Sequence, residues 1–126
     1  PEHFGVYPKG IGLGNVLMSF GHDEYMFQVV MNHYKSNQIP EKDRIPPEGL
    51  AMIRFHSFYP WHKGARNGRK AYTELQDYTD RKMLPWVQRF QKFDLYSKAG
   101  IEFDATKLEA RLKDLADRHL PGEIAI

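Results

Sequence analysis

His22-Asp23-Glu24-Tyr25-Met26-Phe27-Gln28-Val29-Val30-Met31-Asn32-His33-Tyr34 sets Met26, Val29, Val30 and Tyr34 at intervals of three and four residues. That is the period of an amphipathic helix, and the acidic residues Asp23 and Glu24 suit the positive end of its dipole. Downstream, Ser36 to Pro47 contains Pro40, Pro46 and Pro47 among polar residues and is expected to be a surface connection. Proline lacks an amide donor and turns its predecessor away from helix. Pro47 itself suits the first turn of a second helix, where the missing N–H costs nothing. That helix is predicted to run to about Tyr59, where Pro60 stops it. Trp61 to Lys70 then forms a basic loop through Lys63, Arg66, Arg69 and Lys70.

Thr79 or Asp80 can cap a third helix reaching about Lys98, with Pro85 bending it or marking its first turn. Asp104 caps a last helix whose Leu108, Leu112, Leu115 and Ala116 make one apolar stripe, and Pro121-Gly122 ends it. Upstream of His22, the first dozen residues are dense in glycine and proline and read as an irregular lead-in. No segment sustains the alternation of a strand, so the expected class is all-α.

The chain has 126 residues, enough for one domain, and 41% of them are hydrophobic, which excludes a disordered chain. Its 18 basic and 16 acidic residues nearly balance, so charge gives no reason to expect a nucleic-acid partner. There is no cysteine, which removes disulfides and thiolate metal sites and fits a reducing, cytoplasmic setting. No apolar run approaches the roughly 18 residues that span a bilayer, and Pro1-Glu2-His3-Phe4 lacks the features of a signal peptide. A soluble protein is expected. A chain opening on Pro1 instead of Met reads as a processed product, a cloned segment or the later part of a longer protein.

Three apolar stripes each carry a metal-competent side chain. His22, Met26, Val29 and His33 share one face of the first helix; Met52, Ile53 and His56 share a face of the second; Met83, Val87, Phe90 and Asp94 share a face of the third. A carboxylate among apolar side chains costs several kcal/mol unless a cation or several donors meet it. Helical bundles build metal sites from ligands projecting inward on facing helices, and His with carboxylate suits iron, manganese or zinc. The competing reading pairs Asp94 with Lys98 one turn on and leaves both histidines as core residues. His33 is expected to be a core or surface residue, His62 to be solvated in the basic loop, and His3 and His119 to lack a constellation. The helix dipole alone accounts for Asp23-Glu24. The aromatic cluster Phe55, Phe58, Tyr59 and Trp61 is expected to be core.

Four stretches, taken in order, resemble the inositol oxygenase family. They are Leu17-Met18-Ser19-Phe20-Gly21-His22-Asp23-Glu24-Tyr25, Met52-Ile53-Arg54-Phe55-His56-Ser57-Phe58-Tyr59-Pro60-Trp61-His62, Met83-Leu84-Pro85-Trp86-Val87 and Phe93-Asp94-Leu95-Tyr96-Ser97-Lys98. The resemblance runs from about Tyr7 to Lys98 and is looser in the last helix. It implies an all-α, HD-domain-like fold and a non-haem di-iron centre holding two iron ions. It also implies an oxygenase that opens the ring of myo-inositol with O2 to give D-glucuronate.

By position, His22 and His56 would be histidine ligands of one iron and Asp94 a carboxylate ligand of the other. His56 would also lie against the substrate at the reacting centre. Ser57 would hydrogen-bond an inositol hydroxyl, and Lys98 would stand at the edge of the pocket with a catalytic part. The family's six ligands include an earlier histidine and an adjacent His-Asp pair whose aspartate bridges both irons. The one His-Asp pair here, His22-Asp23, sits in the context of the later single histidine, so three ligands are missing. The expectation is therefore the C-terminal segment, residues 1–126, of a single HD-domain-like oxygenase domain, whose N-terminal half is its missing partner. The alternative is a metal-free helical module that only packs or binds. No nucleic acid and no membrane are expected as partners.

Overall fold

The computed structural model describes residues 2–63, 71–94 and 104–125. Within them the regular structure is almost all helix, as the periodicities predict. A small antiparallel hairpin, β1 (His3–Phe4) and β2 (Tyr7–Pro8), comes first. It replaces the irregular lead-in, because two-residue strands are too short to show alternation. Six α-helices follow: α1 (His22–Ser36), α2 (Pro47–Phe55), α3 (Tyr59–His62), α4 (Ala71–Leu75), α5 (Tyr78–Asp94) and α6 (Ala105–His119).

The second helix ends at Phe55, earlier than expected, and Pro60 opens the single turn of α3 instead of stopping α2. Proline is as compatible with the first turn of a new helix as with the end of an old one. Short α4 was not expected. The end of the third helix at Lys98 and the basic residues Arg66, Arg69 and Lys70 lie outside the described residues.

The main core joins Leu13, Ala51, Phe55, Trp61, Leu75 and Val87, so it draws on the segment before α1, on α2 to α4 and on α5. Phe55 meets Trp61 edge to face with ring centroids 5.4 Å apart, and Trp61 Nε1–H donates to Gln76 Oε1 at 3.1 Å. The aromatic cluster is thus largely core, although Tyr59 is exposed. A second cluster, Val30, Tyr34 and Ile39, folds the proline-rich connection back on α1, where the Tyr34 hydroxyl accepts from the Ile45 amide at 2.8 Å. Leu120 packs on this cluster and His119 Nδ1 donates to the Asp43 carbonyl at 3.1 Å, which anchors the end of α6. Asp104 caps α6 as expected, accepting from Thr106 and Lys107 amides. Leu108, Leu112 and Leu115 along that helix are exposed.

Asp77 and Asp80 exchange hydrogen bonds at the start of α5. Asp77 Oδ1 accepts from the Asp80 amide at 2.8 Å, and Asp80 Oδ2 accepts from the Asp77 amide at 2.9 Å. This is a capping box, which satisfies two amides that the helix itself cannot. Asp80 Oδ2 also accepts from the Leu13 amide at 2.8 Å, tying α5 to the segment before α1. Gly12 permits that approach: its φ is +90°, and a Cβ there would stand 2.7 Å from Asp77 Oδ2.

Burial pushes the Asp80 carboxyl above the ordinary carboxylate value, against the pull of the Leu13 and Asp77 amides, with the Asp77 carboxylate also raising it. A raised acid binds its proton more tightly folded than unfolded. Stability from Asp80 is therefore fully present below the unfolded value near 3.8 and is lost as pH rises through the higher folded value. Asp80→Asn keeps an acceptor and cannot ionise. Denaturation from about pH 3 to 6 should show the wild type losing ground to this variant as pH rises. A constant difference between the two would refute this.

Candidate metal centre

The first turn of α1 faces the end of α2 through three successive polar contacts. His22 Nε2 lies 2.9 Å from His56 Nε2, with ring centroids 4.9 Å apart. Ser57 Oγ donates to Asp23 Oδ2 at 2.5 Å. Arg54 makes a forked pair with Glu24, at 2.7 Å from Nε and 3.2 Å from Nη2. The Arg54 guanidinium also lies 4.3 Å from the centre of the Phe27 ring. A forked guanidinium–carboxylate pair is rigid in plane, so it fixes how the two helix ends meet. His22 and Asp23 stand just before Glu24, and His56 and Ser57 just after Arg54.

His56 is oriented from its other nitrogen. The Ile53 carbonyl, 2.9 Å from Nδ1, can only accept, so Nδ1 carries the proton and Nε2 presents a lone pair toward His22. This is how a protein holds a metal-binding imidazole. Phe90 of α5 closes one side of the ring, with centroids 5.9 Å apart. His62 steadies the backbone: its Nε2–H donates to the His56 carbonyl at 2.8 Å, and Gln88 of α5 donates to the His62 carbonyl at 2.7 Å.

Burial holds the Asp23 carboxyl back from ionising. The Ser57 hydroxyl, the amides of Glu24 and Asp23 and the neighbouring His22 outweigh this and bring it below the ordinary value. Beside these residues opens a cleft of about 990 Å³, with His22, Asp23, Arg54 and Ser57 on its polar wall and Met18, Phe55 and Phe58 among its apolar lining. That is the size and composition of a small-molecule site. Leu17 and Phe20 on its rim are 89% and 69% exposed.

The Nε2 to Nε2 separation fits a shared cation. Two ligands at right angles, each about 2.1 Å from a metal, stand about 3 Å apart. Nitrogen donors next to carboxylate and hydroxyl oxygens suit a first-row metal such as iron. Among the described residues no group of three His, Asp or Glu side chains is gathered that could hold a metal ion.

The profile of the family described as Myo-inositol oxygenase matches residues 2–126. The chain belongs to the myo-inositol oxygenase family. It is 48% identical to the inositol oxygenase of Pongo abelii over 118 residues, covering 94% of this chain and 37% of that protein. The Danio rerio inositol oxygenase is 48% identical over 119 residues, covering 94% of this chain and 38% of that protein. The Dictyostelium discoideum inositol oxygenase is 44% identical over 120 residues, covering 95% of this chain and 37% of that protein. The chain thus spans well under half the length of these inositol oxygenases.

Against the inositol oxygenase resemblance, the structure brings His22, His56 and Ser57 to one place and leaves Asp94 outside any described metal cluster. His22 and Asp94 are exposed, which corrects the expectation that both point into an apolar interior. Periodicity assigns a residue to a helix face, and only the neighbouring elements decide whether that face is covered. Burial on α5 falls from Val87 and Gln91 to exposed Lys92, Phe93 and Asp94. Lys98 lies outside the described residues.

His62, expected to be solvated, is 1% exposed. The turn of α3 rolls it inward, and burial, reinforced by Lys63 and His56, pushes its imidazole below the ordinary histidine value against the His56 carbonyl. His33 is a core residue, with Nδ1 3.1 Å from the Asn37 amide nitrogen. Sequence reasoning gave Asp23 and Glu24 only the helix dipole and gave Arg54 no role. The one available signal was that Asp23 and Ser57 repeat the 34-residue separation of His22 and His56.

Proposed function

We propose that this chain supplies part of the active site of a non-haem di-iron oxygenase that opens the myo-inositol ring with O2 to give D-glucuronate. The observation that carries this reading is the 2.9 Å approach of His22 Nε2 to His56 Nε2 beside the Ser57 hydroxyl, in a chain of this family. In the proposed site His22 and His56 hold one iron and Asp94 serves the second. The remaining ligands come from the rest of the family's length. Iron supplies the redox chemistry and the open positions for O2 and a substrate oxygen.

The chain's own residues do the positioning. Ser57 hydrogen-bonds a ring hydroxyl and the Arg54–Glu24 pair keeps the two histidine-bearing turns together; by the family resemblance, Lys98 would contribute at the pocket edge. Residues 1–126 are read as the C-terminal segment of an HD-domain-like oxygenase domain. The short span relative to its relatives and the exposed Leu17, Phe20 and Met26 around His22 support a covering N-terminal part, in the same or a separate chain. The proposed setting is the cytoplasm. Among the described residues no helix is long and apolar enough to cross a membrane.

Adding ferrous iron, under reducing conditions, to metal-stripped protein that carries the full family length should raise its unfolding temperature, because a ligand bound only by the folded state stabilises it. Elemental analysis should find the iron retained after desalting. A folded protein that takes up no iron and gains no stability would favour the alternative, a helical packing module in which His22 and His56 simply hydrogen-bond.

A further inference from the structure

The Ser57 hydroxyl has one proton, and that proton is committed to Asp23. Asp23 Oδ2 stands 2.5 Å from Ser57 Oγ, the short distance of a hydroxyl donating to a carboxylate. An ionised carboxylate offers no proton in return. Asp23 is held in turn by the Glu24 amide, which donates to Oδ1 at 3.0 Å. Gly21 leaves the carboxylate room, since a Cβ there would stand a tight 3.0 Å from Oδ1. Both residues line the cleft, as does His22. With its proton spent, Ser57 Oγ faces the cleft with lone pairs alone.

We infer that Asp23 is a positioning residue that makes Ser57 an obligate hydrogen-bond acceptor, so that this part of the cleft selects a substrate hydroxyl able to donate and rejects an oxygen or halogen that can only accept. The inference rests on the functional reading above and deepens it. It assigns the polyol specificity of the site to the Asp23–Ser57 pair. Without Asp23 the serine hydroxyl would rotate freely and satisfy either kind of partner.

Monodeoxy-monofluoro analogues of myo-inositol test this, because fluorine matches the hydroxyl in size, accepts weakly and cannot donate. Their dissociation constants, relative to myo-inositol, are to be measured on the iron-loaded protein carrying the full family length. At one ring position the wild type should bind the fluoro analogue about tenfold more weakly, the effect of one lost hydrogen bond. That position-specific penalty should vanish in Ser57→Ala and in Asp23→Ala. In Asp23→Asn, whose carbonyl can still accept from Ser57, it should survive in part. Iron content and unfolding temperature of each variant separate this from a general loss of structure.

A penalty that disappears in Ser57→Ala and persists in Asp23→Ala overturns the inference while leaving the functional reading intact. So does the absence of any Ser57-dependent penalty in a wild type that binds myo-inositol. A wild type that binds iron and no myo-inositol overturns the functional reading and the inference together.

Discussion

His56→Ala should abolish iron retention and D-glucuronate formation together, once the rest of the family's length is present. The alanine removes one of the two nitrogens that converge at 2.9 Å, the only two that this chain would give to that iron. Partners that merely stand behind metal ligands commonly matter by about 10- to 100-fold in affinity, so losing a ligand itself should cost at least as much. The check is iron per chain by elemental analysis, beside product formation from myo-inositol. Unchanged iron stoichiometry in a folded variant would remove His56 from the ligand set, and the proposed centre with it. Loss of product with iron intact would instead move His56 to a role against the substrate alone.

Trp61→Ala should cost about 3–5 kcal/mol of folding stability, the range for removing a large aromatic side chain from a packed core. Trp61 is 1% exposed, meets Phe55 edge to face and donates from Nε1 to Gln76. Truncation leaves a cavity between α2, α3 and α4 and strands a polar group of Gln76. It also loosens α3, whose His62 braces the His56 carbonyl, so weaker iron binding should accompany the lost stability. Urea denaturation of wild type and variant measures the first effect. A loss below about 1 kcal/mol would mean that the cavity collapses and that the site does not depend on this packing.

The helices were legible because each carries its own boundary chemistry. Pro47 opens α2, Asp104 caps α6, and the spacing of Met26, Val29, Val30 and Tyr34 marks α1. These are local preferences, decided within one turn of chain. What covers a face is not local. His22 and Asp94 lie in line with apolar residues and are nevertheless exposed, whereas His62 follows a proline, adjoins a basic stretch and is buried. In each case a distant element, or the lack of one nearby, sets the outcome. The cap of α5 shows the intermediate case: Thr79 or Asp80 was expected to be the cap, yet Asp77 is, because the reciprocal bonds depend on both carboxylates and on the Leu13 amide far away in sequence.

By itself, then, the order of residues determined the helical class, most helix starts, the family, and the residue types able to bind a metal, since all of these rest on periodicity, capping and shared strings. Only the tertiary structure decided that Ser57 donates to Asp23 and that Arg54 clamps Glu24, and it alone gave the distance at which His22 and His56, paired already by the resemblance, approach. Those contacts join residues about thirty positions apart, and the relative rotation of α1 and α2 that creates them is fixed by packing across the whole core.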